Sequence, residues 1–222
     1  VKPTYGEEVI GLTVGLPLGT CNSPKGKLGL NEVLFHLLSQ GKAAKKLQEA
    51  GAIVQCPAST DCSAIVALTT RYCFTQAFAA IYELFSAPLI DEIGVNRALA
   101  TIERRGPSDF FSHYQRTKGK LAITVADLKH FHEQNFIAGQ TTIVVCGDVT
   151  PERVFQLVSS TFGSMPSGSV RARHFHEQSV EKKSLADKSF LLTFPIEKPF
   201  RDYAALQALI HLLAGGKDSH LA

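Results

Sequence analysis

Apolar residues alternate with small or polar residues near the start of the chain. In residues 9–16 the apolar positions are Ile10, Leu12, Val14 and Leu16, and glycine or threonine lies between them. This period of two is typical of a β-strand with one packed face. Apolar and β-branched runs predict further strands over residues 52–56, 63–70, 141–146 and 189–194.

Most of the intervening segments carry apolar residues every three or four positions, which indicates amphipathic helices. The predicted helices span residues 29–40, 42–50, 72–86, 90–105, 124–136, 151–162 and 202–213. Thr124 and Asp127 have the spacing of a capping box, Pro151 suits a first helical turn, and Gly51 suits a helix end. The succession of elements predicts an α+β fold, a layered sheet with helices on one face.

Composition describes a globular chain of 222 residues, of which 45% are apolar and 19% charged. The net charge is only +3, and no run of lysine and arginine indicates a nucleic-acid partner. No apolar run approaches the roughly 20 residues of a membrane span, and no targeting signal is recognisable at Val1. Five cysteines without a C-x-x-C pair argue against a disulfide framework and against a zinc ribbon.

The segment GLNEVLFHLLSQG, residues 29–41, concentrates the candidate chemistry. Its leucines and Val33 form one apolar stripe, and the pattern places Glu32, Phe35 and His36 together on the opposite face. The zinc-binding motif H-x-x-E-H uses the same spacing, with two histidines as ligands and the glutamate as base. Here the three positions read Glu, Phe and His, so the helix has the spacing of a metallopeptidase helix without its chemistry.

Three longer segments resemble the pitrilysin and mitochondrial processing peptidase family, in the order in which that family has them. VIGLTVGLPLGTCNSPKGKLGL is similar to the strand, glycine turn and loop that precede the zinc helix. DLKHFHEQNFIAGQTTIVVCGDVTPERVFQLVSSTFGSMPSG is similar to a later helix, strand and closing turn. DYAALQALIHLLAGGKDSHLA resembles the helix and glycine loop, here Gly215 and Gly216, that open the second lobe.

The resemblance implies a domain division. We expect a first lobe over residues 1–162, a linker over 163–184 and the start of a second, incomplete lobe over 185–222. The word LFHLL at 34–38 recurs as LIHLL at 209–213, as a weak internal duplication of the two lobes would produce. The segments near residues 42 and 118 are shorter than the family pattern, which indicates either a pared-down homologue or loops missing from the sequence.

In the resembled family the third zinc ligand is a glutamate on the helix that corresponds to residues 90–105. Alignment through Leu99 places that position at Gly94, and Glu92, two residues away, would point elsewhere on a helix. A phenyl ring at position 35 has no acid–base chemistry. We therefore expect no bound metal and no catalytic residue; His36, Glu32 and Glu92 are the remaining candidate ligands, and two ligands rarely suffice for zinc.

Residues 52–56 correspond to the family's edge strand, to which a peptide substrate is added as an extra strand. Here the candidate positions are Gln55, Cys56 and Pro57. Proline removes a backbone donor and is tolerated only at a sheet edge or strand end. Peptide addition would therefore be shortened, and an ordinary strand end is an equally good interpretation.

Two further segments, residues 130–134 and 174–178, each contain two histidines two residues apart. His130 and His132 lie in a predicted helix, where such residues face apart and do not chelate a metal. His174 and His176 would share a face if that segment were extended, but we interpret it as solvated.

The hypothesis that follows from the resemblance is a non-catalytic homologue of a zinc metallopeptidase. It would act as a structural or substrate-holding subunit, as in processing peptidases and the core of the respiratory bc complex. The implied partner is another family subunit, in a homo- or hetero-oligomer, with a peptide as a further ligand and a mitochondrial or bacterial setting. The alternatives are an active zinc metalloendopeptidase with an altered ligand set, for which zinc would be the cofactor, and an unrelated soluble binding module. Phe35 is expected to be buried, with the cleft above it narrowed or filled.

Overall fold

A computed structural model describes residues 2–3, 8–24, 26–27, 29–59, 61–105, 122–168 and 203–214. The chain divides into two units, Val1–Phe175 and His176–Ala222. This division falls inside the segment that the sequence predicts to be a linker. The bounds of the two lobes stay a prediction.

The described part of the first unit contains a mixed five-stranded sheet. Its strands are β1 (Lys2–Pro3), β2 (Val9–Leu16), β3 (Ile53–Gln55), β4 (Ser63–Thr70) and β5 (Thr142–Gly147). They lie in the order β1-β5-β2-β4-β3. β2 pairs antiparallel with β4 and with β5, β3 pairs antiparallel with β4, and the short β1 pairs parallel with β5.

The helices of the first unit are α1 (Leu30–Gln40), α2 (Lys42–Glu49), α3 (Phe74–Ser86), α4 (Glu92–Arg105), α5 (Val125–Asn135) and α6 (Pro151–Ser160). Short 3-10 turns lie at Thr20–Asn22, Ala138–Gln140 and Phe162–Ser164. The second unit is described over one helix, α7 (Tyr203–Ala214), in which Leu209, Ile210 and Leu212 are about half exposed or more. The predicted strand 189–194 lies outside the described residues.

Local start and stop signals act as the sequence indicates. The hydroxyl of Thr124 accepts a hydrogen bond from the backbone N–H of Asp127, whose carboxylate accepts one from the N–H of Thr124. Pro151 opens α6. Gly51 follows α2 with a φ of 82°, a left-handed conformation that glycine adopts without strain.

One face of the sheet is buried against helices and the other is open. The predicted inward positions of β2, from Ile10 to Leu16, are buried together with side chains of α1 and α3. On the opposite face Val9, Ile53 and Val144 are more than half exposed. The α+β architecture with helices on one face is therefore confirmed for the described part of the first unit. No described helix has the length and apolar character needed to cross a membrane.

Candidate functional site

The helix α1 begins from a loop that is tied to the start of α5. Gly29, the residue before α1, has a φ of 89°, which a residue with a side chain rarely adopts. The ammonium group of Lys27 donates to the Asp127 carboxylate at 2.8 Å and to the Ala122 carbonyl at 2.6 Å. The hydrogen bonds from Lys27 and from Thr124 lower the pKa of Asp127 to about 2. The polar contacts therefore fix the approach to α1 against a second helix.

A buried hydrogen bond anchors the first turn of α1 to the sheet. Asn31 is fully buried, and its side-chain amide donates to the Ser63 hydroxyl at 2.8 Å. Ser63 is the first residue of β4. The bond pairs the buried side-chain N–H group and ties the first turn of α1 to β4, whereas Oδ1 of the same side chain has no hydrogen-bond partner among the described residues.

Phe35, at the position of the base in H-x-x-E-H, is 1% exposed. Its ring centroid lies 5.8 Å from that of Phe136, which in turn lies 4.9 Å from that of Phe85. These rings belong to a larger aromatic cluster, made of Phe35, Phe74, Phe78, Tyr82, Phe85, Phe136 and Phe162. The prediction that Phe35 is buried is confirmed, and the volume beside it is filled by the chain's own side chains.

Glu32 and His36 have a different environment from Phe35. Both are half-buried, and both interact with other groups of the protein. The sequence pattern placed all three residues on one face, opposite the apolar stripe. The burial instead places Phe35 at the edge of the buried arc, because it lies about 60° from Leu38 around the helix axis.

The position that resembles the third ligand lies at a close contact between α1 and α4. A Cβ atom built on Gly94 would lie 2.8 Å from Cδ2 of Leu37 and 3.0 Å from Oδ1 of Asp91. The backbone N–H of Gly94 donates to the same Asp91 oxygen at 2.7 Å. Glu92, the neighbouring candidate, is exposed. The helix at this point presents backbone to α1 rather than a ligand.

The residues present do not fit a zinc site of the H-x-x-E-H type. The three corresponding ligand positions are Glu32, His36 and Gly94, so at most two carry a donor atom. Within the described ranges, no group of three His, Cys, Asp or Glu side chains is placed to hold a metal ion. A catalytic zinc site keeps three protein ligands and an open position for water.

The candidate peptide strand lies at the edge of the sheet. β3 pairs only with β4 among the described strands and ends at Gln55, so it is shorter than the predicted span 52–56. The carbonyl of Pro57 accepts from the N–H of Ala64 at 3.0 Å, which keeps the chain beside β4 after the strand ends. Burial raises the pKa of the Cys56 thiol to about 12, so this thiol stays protonated and is a poor nucleophile.

His132 contacts the aromatic cluster, which the sequence did not predict. Its Nε2 atom lies 2.7 Å from the Phe85 carbonyl, and its ring centroid lies 4.4 Å from that of Phe136. Burial lowers the pKa of His132. His130 is exposed, so the two histidines face apart as predicted. The other histidine pair, His174 and His176, and the glycine loop, Gly215 and Gly216, lie outside the described residues.

The sequence patterns did not predict three contacts between distant segments. For one of them, Lys27–Asp127, a local motif marks one of the two residues. The capping box marks Asp127 as a helix-start residue, but no local pattern links Asp127 to Lys27. The pairs Phe35–Phe136 and Leu37–Gly94 join helices that are far apart in sequence. Helix periodicity predicts that such faces are buried, and does not predict what covers them.

The sheet with helices on one face, and the altered motif on α1, are similar to a lobe of the pitrilysin-type peptidases. Residues 122–222 match the family model of the Peptidase M16 inactive domain. No curated protein matches the sequence. The resemblance to pitrilysin-type peptidases that the sequence motifs indicated is confirmed.

Solved structures of proteases share the fold at low sequence identity. A protease from Helicobacter pylori has 19% identity and a TM-score of 0.70, and the match covers 97% of this chain and 62% of that one. The first half of the periplasmic protease PqqL from Escherichia coli has 14% identity and a TM-score of 0.65, with 79% and 46% covered. Pitrilysin has 14% identity and a TM-score of 0.60, with 75% and 22% covered. The chain thus spans less than two thirds of the length of each.

Proposed function

We propose that this chain is a non-catalytic homologue of the pitrilysin-type zinc metallopeptidases and serves as a structural or substrate-holding subunit beside another family subunit. The observation that carries the proposal is the burial of Phe35 in the aromatic cluster. The family relationship supports the scaffold, and the side chains at the motif positions argue against the chemistry.

The burial of Phe35 removes two requirements of the reaction together. In this class a general base must reach the water on the metal, and that water must lie in a cleft open to a peptide. A phenyl ring has no proton to exchange, and at 1% exposure it faces protein rather than solvent. A single substitution at position 35 would therefore not restore a base at the surface of a cleft.

The subunit role rests on surfaces that remain uncovered in the described first unit. The open face of the sheet exposes Ile53, Leu68 and Val144, each more than 40% accessible. Ile53 and Leu68 are cross-strand partners on this face, and exposed apolar side chains that lie side by side are typical of surfaces that bind another protein. The edge strand β3 offers a place for a peptide, but only over Ile53–Gln55. Of the two settings implied by the resemblance, the bacterial one is that of the similar proteins from H. pylori and E. coli.

Metal content and peptide cleavage test the loss of catalysis. Purified protein, dialysed against metal-free buffer, should hold far less than one zinc per chain by elemental analysis. It should not cleave a mixed library of fluorogenic peptides, whether or not a chelator is present. About one zinc per chain, lost in His36→Ala but kept in the exposed-histidine control His130→Ala, would favour the active peptidase with an altered ligand set.

Light scattering and peptide binding test the subunit role. Multi-angle light scattering of the purified protein should give a mass above 24.1 kDa if the partner is a second copy. Fluorescence anisotropy with labelled extended peptides should show saturable binding if β3 holds a substrate. Ile53→Pro should then abolish it, since proline removes a backbone donor from the edge strand. A strictly monomeric protein that binds no peptide would contradict both roles of the isolated chain.

A further inference from the structure

We infer that packing between Leu37 and Gly94 fills the space that a third zinc ligand at position 94 would need. A zinc site can then be rebuilt on α1 only when Leu37 is made smaller as well. The inference rests on the proposed function, because it explains why the metal site is closed by packing and not only by missing ligands. It concerns the two helices α1 and α4, which contact each other in the first unit.

Glycine is an unfavourable choice at position 94 on local grounds. Asp91 precedes α4, and it accepts hydrogen bonds from the Gly94 N–H through its carboxylate and from the Val95 N–H through its carbonyl. Gly94 is therefore the third residue of a capped helix, where glutamate or glutamine is favoured. Glycine is also the poorest helix former after proline. The local helix preferences therefore give no reason for glycine at position 94, and a contact with another element must be considered.

The contact with α1 supplies that reason. A Cβ atom at position 94 would lie 2.8 Å from Cδ2 of Leu37, closer than real Cβ contacts allow, and 3.0 Å from the capping oxygen of Asp91. Leu37 is only 8% exposed, so its methyl group has little room to move away. Any side chain at position 94 must therefore displace the leucine, whereas the Asp91 carboxylate would have to move by only a few tenths of an ångström.

The same leucine lies in the path of a ligand. A carboxylate at position 94 would extend from the Cβ position toward α1, and Cδ2 of Leu37 already occupies the space beside that position. A ligand introduced at position 94 would meet Leu37 first, and either the ligand or α1 would have to shift.

A thermal-stability cycle tests the contact without any metal. Gly94→Ala should lower the Tm by several degrees in the wild-type background, as overpacking does. In the Leu37→Ala background the same change should leave the Tm unchanged or raise it, because alanine favours the helix once the clash is gone. Leu30→Ala is the matched control, since Leu30 is also buried in α1 but is not within 4 Å of the built Cβ atom. An equal Tm change in all three backgrounds would overturn the inference.

Zinc titration tests the consequence, with Zn²⁺ as the probe and equilibrium dialysis as the readout. The triple variant Glu32→His, Leu37→Ala, Gly94→Glu should bind zinc at least about tenfold more tightly than the double variant Glu32→His, Gly94→Glu. Loss of the groups that orient a metal ligand weakens binding by a similar factor. Equal affinities, or no binding by either variant, would overturn the inference. If the triple variant does not fold, the alanine cycle still decides. Neither readout measures peptide cleavage. The proposed function fails separately, if the wild-type protein cleaves peptides.

Discussion

The two sides of helix α1 differ in burial at the positions that match the H-x-x-E-H motif. On one side Phe35 is buried, and its ring contacts that of Phe136 in the aromatic cluster. On the other side Glu32 and His36 are half-buried. The residue at the base position is therefore part of the core, whereas Glu32 and His36, the two positions on α1 that match ligands, are nearer the surface. Replacing Phe35 therefore disrupts packing, whereas replacing Glu32 or His36 removes no fully buried side chain.

The largest expected effect is on the buried side. Phe35→Ala should lower the free energy of unfolding by about 3–5 kcal/mol, as truncation of a buried phenylalanine does. Urea denaturation followed by circular dichroism measures it. Phe155→Ala, at a side chain that is 67% exposed, is the control and should change stability by less than about 0.5 kcal/mol. Similar losses of unfolding free energy in both variants would mean that Phe35 is not a core residue.

The polar anchor before α1 should have an intermediate effect. Thr124→Ala removes a cap whose partner Asp127 also holds Lys27, and should cost about 1–2 kcal/mol. Thr150→Ala is the matched control: it removes a cap that accepts from the Arg153 N–H, and should cost about 1 kcal/mol or less. Equilibrium denaturation at pH 7 compares them. A larger loss in Thr150→Ala would show that the Lys27 contact adds nothing.

His132 should make the buried side sensitive to acid. Burial lowers its pKa in the folded protein below the ordinary value of 6.5, so the unfolded chain binds the proton more tightly. The contribution of His132 to stability is therefore complete above pH 6.5 and is lost as the pH falls below it. Unfolding free energies measured from pH 7.5 to pH 5 should show a decline that His132→Gln reduces. The exposed control His130→Gln should keep the full decline, and a decline unchanged by His132→Gln would contradict the assignment.

The smallest effect is expected on the half-buried side. Glu32→Ala and His36→Ala should each change the free energy of unfolding by about 1 kcal/mol or less, because neither removes a fully buried group. Thermal melts of the two variants beside wild type measure this. A loss of more than about 2 kcal/mol in either would mean that the residue has a structural role that its partial burial does not predict.

The periodicity of apolar residues predicted most of the helices and strands, because these elements depend on interactions between residues that are close in sequence. The alternation in β2 and the capping box at Thr124 and Asp127 depend on neighbouring residues, and both are present. The predicted helices agree with the described ones to within about two residues at each end. The strand β1 was not predicted, since it consists of two residues that pair with Cys146 and Gly147 far along the chain. A pair of that length has no period of its own.

The sequence by itself determined which motif positions changed, and that Phe35 cannot act as a base. Only the tertiary structure decided what those changes mean. The ring of Phe35 meets Phe136, and Leu37 meets the backbone at Gly94, across pairs of helices that no local pattern brings together. The physical reason is that amphipathic periodicity sets which face of a helix is buried, whereas close packing between distant segments sets which side chain fills each space.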